Sequence, residues 1–383
     1  MSMYDHVVVG AGIVGSWTAY QLALLGKNVL LLEQFMESHS RGSSQGESRI
    51  IRCGYKEDFF AEMMPYAFEM WKKAEEDSGK NLIVNCGVLS IFQSPADHDL
   101  YNAWLSNMRT YNPDCLDLED TKEELFGRVL SYTKKPHAVI FDKKGGVLLA
   151  HRSVLTIQEL FRKKGGQFWS NCPVTSIKPE GNEVEIITRK GQIVTPSVIL
   201  CSGAWTKKLL EPNLVPYLPL QASAVKVYYW KEKEFGVHSP ESGFPVVIEP
   251  SGNSLFALPS IEYPGLVKVG IHGGVDCDPD KRDQASINPA YEQTLKNHVA
   301  EHFPQLENEP SIIETCMYSL TPDEIFLIDK VPSHENIIFG TGFSGTGFKT
   351  APVVGRILCE MATGQEPFLD ISRYSLSRFD ERK

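Results

Sequence analysis

Residues 4–34 read YDHVVVGAGIVGSWTAYQLALLGKNVLLLEQ, and this stretch decides the fold of the N-terminal region. Three valines precede the first glycine, as is typical of a buried strand. Residues 13–25 carry apolar side chains that fall largely on one helical face, and residues 29–32 form a second apolar run. The stretch therefore predicts a strand, a glycine turn, a helix and a second strand.

The turn before the helix is rich in glycine. Gly10 permits the tight turn, Gly12 lets a phosphate approach the backbone, and Gly15 lets the helix pack close to the strand. The amide end of the helix favours negative charge. Glu33, at the end of the second strand, can accept hydrogen bonds from both ribose hydroxyls and would repel a 2′-phosphate. The pattern predicts a site for an ADP moiety, which FAD and NAD share.

Two later segments favour FAD over NAD. Residues 197–205 read SVILCSGAW, a strand ending in small residues like the one that approaches the cofactor in glutathione-reductase-like flavoproteins. Residues 337–349 read IIFGTGFSGTGFK, a further strand, glycine turn and helix whose N-terminus would point at the far end of the ligand. A chain that returns to its first domain near its C-terminus suits the extended FAD molecule better than NAD.

Composition and charge restrict the classes of partner. The chain has 383 residues, and 48 acidic side chains outnumber 38 basic ones, which gives a formal net charge of −10. This balance argues against nucleic acid or an anionic membrane as the main partner, and no apolar run approaches the ~20 residues of a membrane span. The eight cysteines and ten histidines form no zinc pattern, so we expect reduced thiols and no metal site.

The order of predicted elements indicates a mixed α/β (α+β) fold. Strands and helices at both ends of the chain flank a strand-rich middle at about 215–275. We predict a Rossmann-like FAD-binding domain of the glutathione-reductase type, with an inserted antiparallel β-sheet substrate domain. The FAD-binding domain is predicted to comprise residues 1–85, 145–215 and 320–383, and the substrate domain residues 86–144 and 216–319.

Three segments resemble one known family, the monomeric sarcosine oxidases and L-pipecolate oxidases of the D-amino-acid-oxidase superfamily. They are residues 40–55 (SRGSSQGESRIIRCGY), 314–329 (ETCMYSLTPDEIFLID) and 342–355 (GFSGTGFKTAPVVG). The likeness extends nearly end to end, and the animal peroxisomal members are the most similar. The resemblance implies FAD-dependent oxidation of the C–N bond of a secondary (N-methyl or cyclic) L-amino acid to an imine, with O2 reduced to H2O2.

The resemblance also implies roles for individual residues. Arg52 and Lys349 match the family's ligands for the substrate carboxylate, to which a guanidinium can make two charge-assisted bonds. Arg49 is expected against the flavin. Cys316 matches the cysteine that links FAD covalently through an 8α-thioether, and Tyr318 would lie beside the ring.

Two residues of the strand-rich middle match further family positions. Lys268, in an otherwise apolar strand, matches the lysine that activates O2, and His272 matches a pocket histidine. A plainer interpretation stays open, because a lysine in an amphipathic strand usually points outward to solvent and an isolated histidine is usually structural.

Plainer interpretations also stay open for the arginines and the cysteine. Arg49 and Arg52 could form surface ion pairs with Glu47 or Glu57, and Cys316 could be an inert buried thiol.

The chain departs from the family pattern at three positions. Phe256 stands where sarcosine oxidases have a pocket tyrosine, and Thr346 and Gln45 each stand in place of a histidine. Because a hydroxyl and an imidazole are lost, a cyclic or larger N-alkyl amino acid is at least as strongly indicated as sarcosine.

The predicted partners are a small secondary amino acid and O2, for a monomer that binds neither nucleic acid nor membrane. The resemblance implies a peroxisomal location, although residues 381–383 do not match a Ser-Lys-Leu address, so a cytoplasmic one stays open. The alternatives in function are a flavin dehydrogenase with another electron acceptor and a non-catalytic flavin-binding protein. The predicted cofactor-binding residues are Gly10, Gly12, Ile13, Val14, Gly15, Glu33, Gln34, Ser43, Ser44, Arg49, Val174, Gly203, Trp205, Cys316, Gly342, Gly345, Thr346, Gly347, Phe348 and Lys349.

Overall fold

The structure, a computed structural model, describes residues 3–117, 129–132, 136–211, 213–252, 254–286 and 289–382. The remaining positions, which include 118–128 and 133–135 of the predicted segment 86–144, lie outside the described residues. The α-helices are α1 Ile13–Leu24, α2 Asp58–Ser78, α3 His98–Tyr111, α4 Ala150–Lys163, α5 Thr206–Leu210, α6 Pro289–His302 and α7 Gly347–Ala362. The strands are β1 His6–Val9, β2 Val29–Leu32, β3 Ser48–Ile51, β4 Ile83–Val84, β5 Val88–Phe92, β6 Leu116–Asp117, β7 Ala138–Asp142, β8 Gly146–Leu149, β9 Gln167–Trp169, β10 Val174–Glu180, β11 Glu183–Thr188, β12 Gly191–Thr195, β13 Ser197–Leu200, β14 Gln221–Glu232, β15 Val246–Glu249, β16 Leu255–Tyr263, β17 Leu266–Ile271, β18 Val275–Asp276, β19 Leu306–Leu320, β20 Leu327–Val331 and β21 His334–Thr341.

A six-stranded sheet has the strand order β20-β21-β13-β1-β2-β9. Its pairs are parallel except β20 with β21. β1, β2 and β13 are buried at every residue, as expected for parallel strands that are covered on both faces. The elements predicted for residues 4–34 are confirmed as β1, α1 and β2, although α1 ends at Leu24, one residue earlier than predicted.

Helices α1 and α7 pack closely against each other. A Cβ on Gly355 of α7 would lie 2.7 Å from the Cβ of Trp17 and 2.9 Å from the backbone nitrogen of Thr18, so a glycine lets the two helices approach. β1 and β21 run parallel within one sheet, and each is followed by a glycine turn and one of these helices. Both turns therefore lie at the same edge of the sheet, where ligands bind in open α/β folds.

A second large sheet has the order β18-β14-β17-β16-β15-β5-β7-β6, with β19 paired to β14. The predicted antiparallel sheet is confirmed, with one difference: β15 pairs with β5 in parallel, which joins two distant chain segments. Two three-stranded sheets, β10-β11-β12 and β3-β8-β4, complete the strands of the described residues. The two large sheets take their strands from different predicted segments, and the division into two domains stays a prediction. Among the described residues, no helix combines the length and apolarity needed to span a bilayer.

Candidate active site

The glycine turn between β1 and α1 is shaped by close contacts. Gly10 has a φ of 99°, and a Cβ there would lie 2.5 Å from the carbonyl oxygen of Cys201. A Cβ on Gly12 would lie 2.9 Å from Ser44 Oγ, which accepts a hydrogen bond from the Ile13 N–H at 3.0 Å. α1 has no acidic residue in its first turn and no side-chain cap from Gly12. The turn therefore presents a helix N-terminus suited to phosphate.

Glu33 lies at the end of β2, where its side chain is buried. Its carboxylate accepts hydrogen bonds from the Ala11 N–H at 3.0 Å and from the Phe35 N–H at 3.1 Å. His39 Nε2 lies 3.5 Å from the same carboxylate. These contacts fix the carboxylate beside the glycine turn, so the residues present fit the ribose and phosphates of an ADP group.

One cavity of about 780 Å³ extends from this turn to α7 and β17. Two predicted site residues do not line it: a Cβ on Gly15 would lie 1.9 Å from the Gly10 carbonyl oxygen, and one on Gly342 (φ 67°) would lie 2.5 Å from Thr321 Cγ2. Both glycines serve close packing, and their contact with the cofactor stays a prediction. The predicted residues that line the cavity are Gly10, Gly12, Ile13, Val14, Glu33, Gln34, Ser43, Ser44, Arg49, Arg52, Val174, Gly203, Trp205, Phe256, Lys268, His272, Cys316, Tyr318, Gly345, Thr346, Gly347, Phe348 and Lys349.

Two cations, Arg52 and Lys349, face the same part of the cavity. The Arg52 guanidinium lies 4.8 Å from the ring centroid of Tyr55, and Lys349 Nζ lies 5.7 Å from that centroid. Burial, together with the charges of Arg52 and Arg49, holds the pKa of the Lys349 amine well below its ordinary value. Neither cation has a carboxylate partner among the described residues, so an incoming acid group would satisfy both.

Arg49 holds the segment that precedes β3 and approaches Cys316. Its guanidinium donates hydrogen bonds to the carbonyl oxygens of Ser43 at 2.8 Å, Gln45 at 2.5 Å and Ser48 at 2.6 Å. The same group lies 3.8 Å from Cys316 Sγ. Backbone carbonyls rather than surface glutamates therefore bind this arginine, and its guanidinium lies beside the Cys316 thiol.

Lys268 is buried and points into the cavity, unlike a lysine on the outer face of a strand. Its Nζ lies 2.8 Å from Glu262 Oε1 and 3.2 Å from Ser48 Oγ. The Tyr229 hydroxyl donates to the other Glu262 oxygen at 2.7 Å. Burial opposes ionisation of Glu262, but the Lys268 ammonium and the hydrogen bonds from Ser48 and Tyr229 outweigh it and lower the pKa of Glu262.

The three departures from the family pattern have defined contacts. The Phe256 ring covers the strand position of Gly270, where a Cβ would lie 2.8 Å from the ring. Gln45 Nε2 donates to the Thr315 carbonyl oxygen at 2.7 Å. Thr346 precedes α7 and accepts, through its carbonyl oxygen, a hydrogen bond from the Thr350 hydroxyl at 3.1 Å. Phe256 and Thr346 line the cavity, so both can affect which amine fits.

Two cavity residues, Trp104 and Tyr55, and the buried partner of Lys268, Glu262, were not predicted from the sequence. The Trp104 ring centroid lies 4.7 Å from the Arg52 guanidinium but comes from α3, so no local pattern connects the two. Glu262 is six residues from Lys268 across the β16–β17 turn, where a charged residue is usually exposed. Tyr55 is the last residue of the segment 40–55 that resembles the family. That position could have suggested that its ring lies near Arg52 and Lys349.

The sequence also did not predict a buried cluster of three residues, Cys53, Cys115 and Asp142, that could offer metal ligands. Cys53 and Cys115 have their Sγ atoms 2.7 Å apart, beside the carboxylate of Asp142. That carboxylate already accepts hydrogen bonds from the N–H groups of Cys53, Lys144 and Gly145, which leaves it poorly placed as a ligand.

His272 is expected to make the stability of the fold depend on acidity. Burial, with the charges of Lys349 and Arg52, lowers the pKa of His272 to about 4. Because the unfolded chain binds this proton at about pH 6.5, lowering the pH from 6.5 to 4 should destabilise the protein by up to about 3 kcal/mol. The His272→Asn variant should lose less stability across that window in urea unfolding, and an equal loss in both proteins would contradict the neutral imidazole.

Comparisons with known proteins cover nearly the whole chain. Residues 5–361 match the DAO family, described as FAD dependent oxidoreductase. The human peroxisomal sarcosine oxidase is 38% identical over 382 residues, covering 98% of this chain and 96% of the relative. The monomeric sarcosine oxidase of Bacillus sp. (strain NS-129) is 30% identical over 388 residues, covering 98% and 97%.

Solved structures share the fold at lower identity. The L-proline dehydrogenase of P. horikoshii has a TM-score of 0.84 at 21% identity, with 100% of this chain and 99% of that chain covered. The Tyr258Phe mutant of NikD, an amino acid oxidase, has a TM-score of 0.81 at 22% identity, covering 97% and 96%. The predicted fold and family resemblance are thus confirmed: the chain belongs to the DAO family of FAD-dependent oxidoreductases.

Proposed function

We propose that the chain oxidises the C–N bond of a secondary L-amino acid, N-methyl or cyclic, to the imine and reduces O2 to H2O2. It is an FAD-dependent oxidoreductase that acts on the CH–NH group of an amino acid. The observation that supports this substrate class best is the pair of cations, Arg52 and Lys349, that face one cavity without any carboxylate partner among the described residues.

The residues present fit FAD along the cavity. The glycine turn with Glu33 would hold its ADP part, and Cys316, beside the Arg49 cation, would form the thioether to the flavin ring. When bound, FAD supplies the chemistry of accepting a hydride from the substrate and passing electrons to O2. Amides at the start of α7, from Gly345 to Gly347, would offer hydrogen bonds to negative charge at that end.

The chain's own side chains would position and select the substrate. Arg52 and Lys349 would hold the acid group, which fixes the α-carbon relative to the cavity wall. The same two cations disfavour a further positive charge nearby, so the substrate amine would bind as the free base. Phe256 supplies an apolar face where a hydroxyl is absent, which favours a ring or a larger N-alkyl group over the methyl of sarcosine.

A specific observation favours a second candidate, a flavin dehydrogenase that uses another acceptor. Lys268, the cation that would face O2, is already paired with Glu262 at 2.8 Å, so the pair carries no net charge. H2O2 release compared with reduction of an artificial dye would separate the two functions, because a dehydrogenase would reduce the dye without releasing peroxide.

A substrate panel tests the main proposal. Purified protein with FAD would be assayed for H2O2 release with L-pipecolate, L-proline and sarcosine, and kcat/KM compared. Arg52→Met should abolish saturation by these acids, whereas Arg356→Met, which removes a surface ion pair on α7, should not. A clear preference for sarcosine would overturn the proposed selection of larger amines.

The covalent link to Cys316 has its own test. We expect yellow colour to stay with the protein after acid precipitation, and Cys316→Ser to release it to the supernatant. Cys86→Ser, at a half-buried cysteine that does not line the cavity, is the matched control. Release of the colour from the unaltered protein would show that FAD is held without a covalent bond.

We further propose a monomer in the peroxisome, since relatives carry the names monomeric and peroxisomal sarcosine oxidase. Sedimentation velocity of the FAD-loaded protein and imaging of the tagged chain beside a peroxisomal marker would test these two points. A cytoplasmic signal would support the alternative location.

A further inference from the structure

Arg52 lies between two aromatic faces. Its Cζ is 4.8 Å from the ring centroid of Tyr55 and 4.7 Å from that of Trp104. Its buried Nε has no hydrogen-bond partner among the described residues. Aromatic faces stabilise a cation without cancelling its charge, whereas a carboxylate partner would compete with any incoming acid group. The guanidinium is therefore stabilised in place, and its Nε–H is left for a ligand.

Trp104 is placed here by packing on both of its sides. Its indole is 4% exposed, and the Phe92 ring meets it edge-on at a centroid distance of 5.9 Å. A Cβ on Gly54 would lie 1.6 Å from Trp104 Nε1. Gly54 does not have a left-handed φ, so its lack of a side chain matters for space rather than for backbone conformation. The indole occupies the volume that a side chain at position 54 would take.

The indole also forms part of the cavity wall. Trp104 and Leu100, from the same helix α3, line the cavity beside Arg52 and Tyr55. Apolar side chains of α3 therefore form cavity wall next to the guanidinium. Phe256, which also lines the cavity, comes from β16 of the large antiparallel sheet. The two residues thus reach the cavity from different elements of the fold.

We propose that Trp104 is a positioning and specificity-determining residue, which orients Arg52 for a carboxylate and closes the acid end of the cavity. The inference rests on the proposed function and deepens it. On this inference the substrate is a monocarboxylate, and the part of it that can vary in size is the part around the amine. Gly54 is needed for the same arrangement, because any side chain there would displace the Trp104 indole from Arg52.

Calorimetric titration of the FAD-loaded protein with cyclohexanecarboxylate, an acid without an amine to oxidise, tests this role. Trp104→Leu should weaken its binding about tenfold, and Trp104→Phe, which keeps a ring face, should restore most of the loss. Binding of the uncharged cyclohexanecarboxamide should stay within twofold of the unaltered protein in both variants. In turnover, Trp104→Leu should raise the KM of the amino acid and leave kcat/KM for O2 unchanged.

Met108→Ala is the matched control, because Met108 belongs to the same apolar cluster and the same helix as Trp104 but does not line the cavity. It should bind the acid like the unaltered protein. Equal acid affinity in Trp104→Leu and the unaltered protein would overturn the inference, and so would an equal loss in Met108→Ala or an equal loss for the carboxamide. If the unaltered protein bound no carboxylate at all, the proposed function itself would fail, which is a distinguishable result.

Discussion

Replacing Lys268 by methionine together with Glu262 by glutamine is expected to slow the reaction with O2 by on the order of 10²–10³-fold. The reason is that Lys268 is the buried cation that faces the cavity at β17, where negative charge would develop on O2. Reduction of an artificial dye by the same variant should stay close to that of the unaltered protein. The measurement is kcat/KM for O2 by stopped-flow absorbance, beside the dye-coupled rate.

The double variant is needed because of the ion pair. Lys268→Met alone would leave the Glu262 carboxylate buried without its cation, which typically costs about 3–5 kcal/mol of stability. A loss of activity in that single variant could therefore come either from the missing positive charge or from a destabilised fold. The Glu262→Gln variant alone shows how much the negative charge of Glu262 reduces the effect of Lys268 on kcat/KM for O2. Full O2 reactivity in the double variant would remove Lys268 from the proposed mechanism and strengthen the dehydrogenase candidate.

Replacing Lys349 by methionine is expected to stabilise the protein while removing its activity. The Lys349 amine is 7% exposed and has no carboxylate partner within the described parts of the chain. Relief from this unfavourable burial should raise the free energy of unfolding by about 1–2 kcal/mol. Loss of a cation that holds the acid group should lower kcat/KM for the amino acid by on the order of 10²-fold or more. Urea unfolding and steady-state kinetics measure the two effects.

The stability gain should depend on pH in a defined direction. Since the folded-state pKa of Lys349 is lowered, the unfolded chain binds more protons over the window below 10.5, and the unaltered protein gains stability as the pH rises toward that value. The advantage of Lys349→Met should shrink accordingly. Lys330→Met, at a surface lysine paired with Glu335, is the control and should change little. A lower free energy of unfolding in Lys349→Met than in the unaltered protein would mean that the amine makes favourable contacts in the folded protein.

The sequence predicted the parts of the site that depend on neighbours along the chain. Gly10, Gly12 and Glu33 belong to one continuous unit of strand, turn, helix and strand, so their spacing carries the prediction. Lys349 follows the same logic, because the strand and glycine turn before it place it in the first turn of α7.

Other contacts of the site were not predictable in this way. Glu262 and Lys268 are six residues apart across the β16–β17 turn, but a charged residue near a turn is usually exposed, so no signal indicated a buried pair. Trp104 reaches Arg52 from a helix whose pattern indicates only an apolar face. The parallel pairing of β15 with β5 joins residues 88–90 to residues 246–248, and no local signal sets that register.

The strand order of the six-stranded sheet has a consequence for biosynthesis. β13 lies between β1 and β21, and β21 is the last strand to be made among those of the described residues. While the chain is still on the ribosome, β13 has an unpaired edge that only residues 334–341 can cover, and such an edge invites aggregation. Because residues 343–349 also line the cavity, the cofactor site is complete only after β21 has been made, and we expect a chain cut before β21 to aggregate.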